Sequence, residues 1–117
     1  MAPRTDDRLD PETERAAREF LAQVAARYDV LGGVLFGSRA RRTHRPDSDA
    51  DVVVLLRGPR GRFLETKLAL ADVAYDVLLE TGILIQVLPV WEDDWSHPEQ
   101  YANPALLRTI RREGVTL

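Results

Sequence analysis

The chain has 117 residues, of which 44% are apolar, and this is enough for one domain with its own core. Its 16 basic and 19 acidic residues give a net charge of −3, and this near-balance argues against a general nucleic-acid-binding protein, which would be strongly basic. The absence of cysteine excludes disulfides, thiolate metal sites and cysteine nucleophiles. No apolar run approaches the roughly 18 residues of a membrane span, and no signal-peptide pattern is visible. We therefore expect a soluble cytoplasmic protein that is not bound to a membrane.

Turn residues and apolar runs predict alternating helices and short strands in the first half of the chain. Asp10-Pro11-Glu12 is typical of a helix start, and apolar residues at helical spacing continue this helix to about Asp29. The apolar run Val30–Phe36 predicts a buried strand. A tight turn at Gly37-Ser38 then leads into a short helical turn and an arginine-rich loop.

The second half continues the alternation. The β-branched run Ala50–Leu56 predicts a second strand, residues Phe63–Thr81 a long helix that Gly82 stops, and Ile83–Val90 a third strand. Apolar residues of the long helix lie on or near one face: Leu64, Leu68, Ala71, Tyr75 and Leu78.

The C-terminal part is predicted to be irregular over Trp91–Pro98 and helical from the Asn103-Pro104 cap to Arg112. The order of elements predicts a mixed α/β or α+β fold with a small sheet. We expect a single domain over residues 1–117, with residues 1–8 flexible.

Two aspartates flank Ala50 at the start of the second predicted strand. Because residues two apart in a strand project to the same face, Asp49 and Asp51 would present their carboxylates side by side. The two anions repel each other, and Mg²⁺, which binds through carboxylates and substrate phosphate oxygens, would neutralise them. In the simpler alternative Asp49 is a solvated loop residue and only Asp51 starts the strand. A D-x-D motif alone favours this alternative.

Gly37-Ser38, at the end of the first predicted strand, bears on the choice between a metal site and a solvated loop at the two aspartates. Glycine allows a sharp turn and the close approach of a ligand, and a helix that starts at Ser38 would offer N–H groups and a hydroxyl to a phosphate. An ordinary turn with serine as a helix cap is equally consistent with this pair alone. A phosphate cradle and a paired carboxylate site together form the two halves of a nucleotidyl-transfer centre.

The spacing of these residues resembles a known family. Gly37-Ser38, ten intervening residues and Asp49-x-Asp51 match the G-S-x10-D-x-D signature of the DNA polymerase β-like nucleotidyltransferases. The stretch LFGSRARRTHRPDSDADVVVLL is similar to that of the minimal nucleotidyltransferases (MNT), which are small single-domain members of this superfamily. The motif covers about a fifth of the chain, and length and element order agree with the family over nearly all of it.

The resemblance implies a mixed sheet flanked by helices, Mg²⁺ held by Asp49 and Asp51, and the β- and γ-phosphates of an NTP bound at Gly37 and Ser38. Such proteins transfer a nucleoside monophosphate from ATP or another NTP to an acceptor hydroxyl, on a protein or a nucleic acid, and release pyrophosphate. Minimal nucleotidyltransferases also resemble antitoxins that pair with HEPN-domain toxins. A HEPN protein is therefore an expected partner.

Four arginines, Arg39, Arg41, Arg42 and Arg45, surround the proposed site. We expect Arg39, next to Gly37-Ser38, to contact phosphate, and a solvated basic loop is the alternative for the group. Arg42 stands where the family often has glycine, which affects a turn of the loop more than the chemistry.

A second departure from the family concerns catalysis. Family members usually supply a third carboxylate from the next core strand, and the matching position here is Gln86. An amide has no general-base capacity. If Gln86 faces the two aspartates, the protein would be a slow enzyme, or a catalytically inactive nucleotide-binding protein that acts as a sensor or neutralises a HEPN toxin by binding. An exposed edge position for Gln86 is the alternative.

Overall fold

The chain folds around a four-stranded sheet that has helices on both faces. The computed structural model describes residues 9–117, and the flexibility predicted for residues 1–8 lies outside the described residues. In the described range the helices are α1 (Pro11–Ala25), α2 (Gly37–Arg41), α3 (Phe63–Thr81), α4 (Glu92–Ser96) and α5 (Pro104–Glu113), with a 3₁₀ turn at Pro98–Gln100. The strands are β1 (Val30–Phe36), β2 (Ala50–Leu56), β3 (Ile85–Trp91) and β4 (Val115–Thr116).

The sheet is mixed, with strand order β3-β2-β1-β4. Strand β1 pairs antiparallel with both β2 and β4, whereas β2 and β3 run parallel because α3 carries the chain back between them. The predicted class, a mixed sheet flanked by helices, is confirmed. This topology brings the end of β1 and the starts of β2 and β3 to one edge of the sheet.

Alternation along β2 divides the core in two. Val52 and Val54 pack toward α1 and α3, whereas Val53 packs toward α5 with Leu107 and Ile110. By the same alternation, Asp51 points to the α5 side of the sheet. The α1 and α3 side holds the larger of the two cores.

Several predicted elements differ from the structure near their ends. Helix α1 ends at Ala25 rather than about Asp29, and its last turn tightens, since the N–H of Arg27 donates to the carbonyl of Val24 three residues back. The third strand begins at residue 85 and extends to residue 91. The prediction that residues 91–98 are irregular is wrong, since they end β3 and form α4, and the two-residue strand β4 was not predicted.

Helix α3 has the predicted bounds, and Gly82 ends it with a φ of +79°. Its buried side is formed by Leu70, Val73, Ala74 and Val77, which pack on the sheet and on α1. Leu64, Leu68 and Tyr75, on the apolar face that the sequence indicates, are instead exposed. The helix is apolar on two sides, and the sheet covers only one. No helix within residues 9–117 combines the length and the apolar character needed to cross a membrane.

We expect Leu70→Ala to lower the free energy of unfolding by about 2–5 kcal/mol, because Leu70 is fully buried and its loss leaves a cavity. The matched change Leu68→Ala, two residues away and on the exposed side of the helix, should cost no more than about 0.5 kcal/mol. Urea denaturation of both variants measures this difference. Similar losses in the two variants would contradict the orientation of α3 described above.

Candidate active site

The junction between β1 and α2 is built around Gly37. Its φ is +75°, a conformation that favours glycine, and a Cβ added there would collide with Oδ2 of Asp51. No side chain caps α2, so the interpretation of Ser38 as an ordinary helix cap does not hold. Within the described residues the Ser38 hydroxyl has no hydrogen-bond partner, and it is free to contact a ligand.

The two aspartates meet at the edge where β2 begins. Asp51 is the second residue of β2, is half-buried, and lies opposite Phe36 of β1 in the antiparallel register. Asp49 comes directly before the strand and is exposed. It is therefore a loop residue, as the simpler alternative has it, but its carboxylate is close enough to act on that of Asp51.

The electrostatics of the pair disfavour two negative charges. Burial raises the pKa of the Asp51 carboxyl above its ordinary value, and the neighbouring Asp49 carboxylate raises this pKa further. The Arg41 guanidinium opposes both effects. An ionised Asp51 is thus held in surroundings that favour its neutral form, and a bound cation would relieve this cost.

Gln86 completes this edge of the sheet. It lies beside Asp51 in the parallel register of β2 and β3, and its side-chain amide donates a hydrogen bond of 3.1 Å to Oδ2 of Asp49. Gln86 is exposed, and its side chain also contacts Asp49. The two alternatives, an exposed position and a position that faces the aspartates, are therefore both met. The position at which the family resemblance expects a third carboxylate is occupied by a neutral donor.

The donor set fits a hard divalent cation. In the described part of the chain no group of three or more His, Cys, Asp or Glu side chains could hold a metal, so the carboxylates form a pair rather than a closed cage. Mg²⁺ is commonly held by one or two carboxylates, with substrate phosphates and water as the other ligands. Asp49 and Asp51 could therefore hold Mg²⁺ together with the phosphates of a nucleotide.

Arg39 has a different place from the one expected. Its guanidinium is buried and donates to the carbonyls of Ser48 (2.9 Å) and Pro46 (3.2 Å) and to the hydroxyl of Thr13 (2.7 Å). These bonds tie the start of α1 to the loop that leads into Asp49. The side chain is thus engaged in holding the loop, and the predicted phosphate contact of Arg39 does not fit its surroundings.

The other three arginines of the loop are exposed. Arg41 is the one whose charge acts on Asp51, which makes it the better candidate for a phosphate contact. Arg42 ends α2 with a φ of +61°, a conformation that favours glycine, which is the residue that the family resemblance expects at this position. The support that Thr13 gives to Arg39 was not predicted, because the two residues are 26 positions apart and no local pattern connects them.

A small cavity of about 260 Å³ lies at the opposite end of the sheet. It is lined by Arg60, Phe63, Tyr101 and Ala102, which follow the ends of β2 and of the 3₁₀ turn. None of the predicted site residues contributes to it. The aspartate pair instead lies on an open edge of the sheet.

A mixed sheet with paired carboxylates beside a glycine-serine turn defines the nucleotidyltransferase class of fold. The model of the nucleotidyltransferase domain family matches residues 17–114. The chain therefore belongs to this family, whose general activity is the transfer of a nucleoside monophosphate. This agrees with the resemblance to the minimal nucleotidyltransferases.

Two solved structures are similar to the chain. One, described as a "putative minimal nucleotidyltransferase", is 28% identical with a TM-score of 0.58, and the match covers 96% of this chain and all of that one. The other, a "putative nucleotidyltransferase" from Sulfolobus solfataricus, has the same TM-score of 0.58 at 17% identity, over 91% of this chain and 82% of that one, and shares the fold. A search of curated proteins gave no significant match.

We expect Gly37→Ala to be more destabilising than Gly82→Ala. Both glycines have a positive φ, near +75° and +79°, so alanine suffers a similar backbone strain of about 1–2 kcal/mol at each. Only at Gly37 would the added Cβ collide with Asp51, whereas nothing lies within 4 Å at Gly82. Thermal denaturation of both variants measures the difference. Equal losses of stability would contradict the close packing of Gly37 against the carboxylate.

The raised pKa of Asp51 predicts a pH-dependent gain of stability in Asp51→Asn. Because the folded-state pKa lies above the unfolded one, folding favours the protonated form, and the ionised form destabilises the protein at neutral pH. Without divalent ions, Asp51→Asn should therefore melt at a higher temperature than the wild type at pH 7. The gain should disappear as the pH falls below the ordinary value of 3.8.

The matched control is Asp76→Asn, at an exposed position of α3 without an ion pair in residues 9–117. It should change the melting temperature little at either pH. A lower melting temperature of Asp51→Asn at pH 7 would mean that the ionised carboxylate stabilises the fold, and would contradict the electrostatics described here.

Proposed function

We propose that this nucleotidyltransferase is Mg²⁺-dependent and transfers a nucleoside monophosphate from ATP or another NTP to a hydroxyl of a protein or nucleic-acid acceptor. The observation that carries the proposal is the pair Asp49 and Asp51 beside Gly37. The ionised Asp51 carboxylate costs stability, and within residues 9–117 the charge of Arg41 offsets this cost only in part. Bound Mg²⁺ would supply the missing positive charge, and the triphosphate would supply further oxygen ligands to the metal.

The residues around the pair have separate parts in this proposal. Asp49 and Asp51 would hold Mg²⁺, which when bound withdraws negative charge from the phosphates. Gly37 lets the backbone come close to the nucleotide, and the free hydroxyl of Ser38 donates to a phosphate oxygen. Arg41, whose charge reaches Asp51, binds the phosphates from the exposed side.

In the proposed reaction the acceptor hydroxyl attacks the α-phosphorus of the NTP, and the bond to pyrophosphate breaks. The hydroxyl proton must leave as the new P–O bond forms. The amide of Gln86 does not accept this proton, and it also occupies one oxygen of Asp49 with a hydrogen bond. We therefore expect transfer to be slow while nucleotide binding is retained.

The proposal is tested with NTP labelled at the α-phosphate, Mg²⁺ and candidate acceptors. The wild type should transfer label, and the double variant Asp49→Asn/Asp51→Asn should not. Chelation of the metal should also stop transfer. Label transfer that survives the double substitution would contradict the assignment of the site.

The identity of residue 86 should set the rate. We expect Gln86→Glu to transfer label at least about tenfold faster than the wild type, since general bases typically contribute about 10²–10⁴-fold. The control Gln86→Ala removes the hydrogen bond to Asp49 without supplying a base, and it should not reach the rate of Gln86→Glu. Because residue 86 is exposed, both variants should fold. Equal rates for the two variants would show that position 86 does not act in proton transfer.

A second candidate function is favoured by the same amide. If Gln86 abolishes transfer, the protein would act as a nucleotide-binding partner that neutralises a HEPN-domain toxin by covering it. Co-expression with a HEPN protein encoded by a neighbouring gene distinguishes the two functions. A stable complex that forms equally well with Asp49→Asn/Asp51→Asn supports neutralisation by binding, whereas protection that requires both aspartates supports modification of the toxin.

A further inference from the structure

Helix α3 carries an apolar face that nothing in the described structure covers. Leu64, Leu68, Tyr75 and Leu79 are 65%, 61%, 58% and 68% exposed. With a helical repeat of about 3.6 residues, their spacing places them on one face together with the exposed Ala71. We call these five residues the α3 stripe. By contrast, the exposed residues of α1 include the charged Arg15, Arg18 and Glu19.

The α3 stripe is longer and more continuous than the single exposed apolar residues that are common on protein surfaces. It runs over 16 residues, nearly the whole of α3, which corresponds to roughly 23 Å at about 1.5 Å per residue. Single exposed leucines are common on protein surfaces, but contiguous apolar patches of this kind mark interaction sites. The buried side of α3 already supplies the core contacts of the helix, so the stripe is not needed for folding.

Carboxylates border the stripe along one side. Glu65, Asp72 and Asp76 follow each other at intervals of seven and four residues and form what we call the acidic edge. Within residues 9–117, Asp72 and Asp76 make no ion pair, and Glu65 makes only an exposed one with Arg62 at 3.3 Å. The opposite border has a single cation, Lys67, whose ammonium lies over the Phe63 ring.

This charge pattern disfavours a second copy of the chain as the occupant. If two α3 helices packed antiparallel, their acidic edges would face each other and bring the two Asp72 side chains together near the midpoint. If they packed in parallel, the acidic edge of each copy would meet only one lysine of the other. A helix of a different protein, with basic residues along one border of its apolar face, neutralises the entire edge.

We propose that the α3 stripe is the docking surface for an amphipathic helix of another protein, and that lysine or arginine residues beside the apolar face of this helix pair with the acidic edge. The stripe lies on the α1 and α3 side of the sheet, whereas Asp51 points to the α5 side. Docking on α3 therefore leaves the nucleotide site open. The proposal does not depend on transfer activity.

The test uses two synthetic amphipathic helices of about 20 residues, longer than the roughly 15 that a marginally stable isolated helix needs. Both peptides have leucines on one face. One has Lys and Arg along its borders, and the other has Glu at the same positions. Fluorescence anisotropy measures their binding to the intact protein. We expect the wild type to bind the basic peptide at least about tenfold more tightly, because the acidic peptide meets like charges.

Variants assign the binding to the stripe and to its edge. Leu68→Ser with Tyr75→Ser should weaken binding of the basic peptide at least about tenfold. The control Leu31→Ser, at an exposed leucine of β1, should leave it unchanged. Asp72→Lys with Asp76→Lys should make the acidic peptide the tighter ligand. Because all these positions are exposed, unchanged melting curves will show that the variants fold.

Three results would overturn the proposal: equal affinity for the two peptides, no binding of either, or a loss of binding in Leu31→Ser as large as in the stripe variant. A stable homodimer in light scattering that Leu68→Ser abolishes would also overturn it, since the stripe would then bind a second copy. The double variant Asp49→Asn/Asp51→Asn should bind the basic peptide as the wild type does. Failure of the docking proposal is thus distinguishable from failure of the proposed transfer function.

Discussion

The repulsion between the Asp49 and Asp51 carboxylates at the start of β2 is the constraint that defines the candidate site. Burial and the neighbouring carboxylate both raise the pKa of Asp51, so the folded chain holds a charge where it is unfavourable. Functional sites commonly contain charges in unfavourable surroundings, because a bound ligand offsets the loss of stability. The absence of a side chain at Gly37 leaves room for the Asp51 carboxylate.

The rest of the fold fixes the pair in position. The register of β2 between β1 and β3 sets Asp51 beside Phe36 and Gln86, and the buried Arg39 anchors the loop that leads into Asp49. Arg39 therefore stabilises the site indirectly, through hydrogen bonds to the backbone of this loop. Loss of this anchor would free Asp49 to move away from its neighbour.

Most of the fold could be predicted from the sequence, because its strands and helices are marked by apolar runs that end at turn residues. The strands Val30–Phe36 and Ala50–Leu56 and the helix Phe63–Thr81 have the predicted bounds, since each combines an apolar run with clear turn residues at its ends. The motif spacing also indicated the family. What local patterns could not predict depends on long-range contacts: the engagement of Arg39 by Thr13, the hydrogen bond from Gln86 to Asp49, and which of two apolar sides of α3 meets the sheet.

A calorimetric titration of the protein with a nonhydrolysable ATP analogue, with and without Mg²⁺, determines whether Asp49 and Asp51 hold a metal-bound nucleotide. Binding should be saturable, should require the metal, and should be lost in Asp49→Asn/Asp51→Asn while Asp76→Asn retains it. Binding that is indifferent to Mg²⁺, or unchanged in the double variant, would contradict the claim that these two carboxylates hold a metal-bound triphosphate.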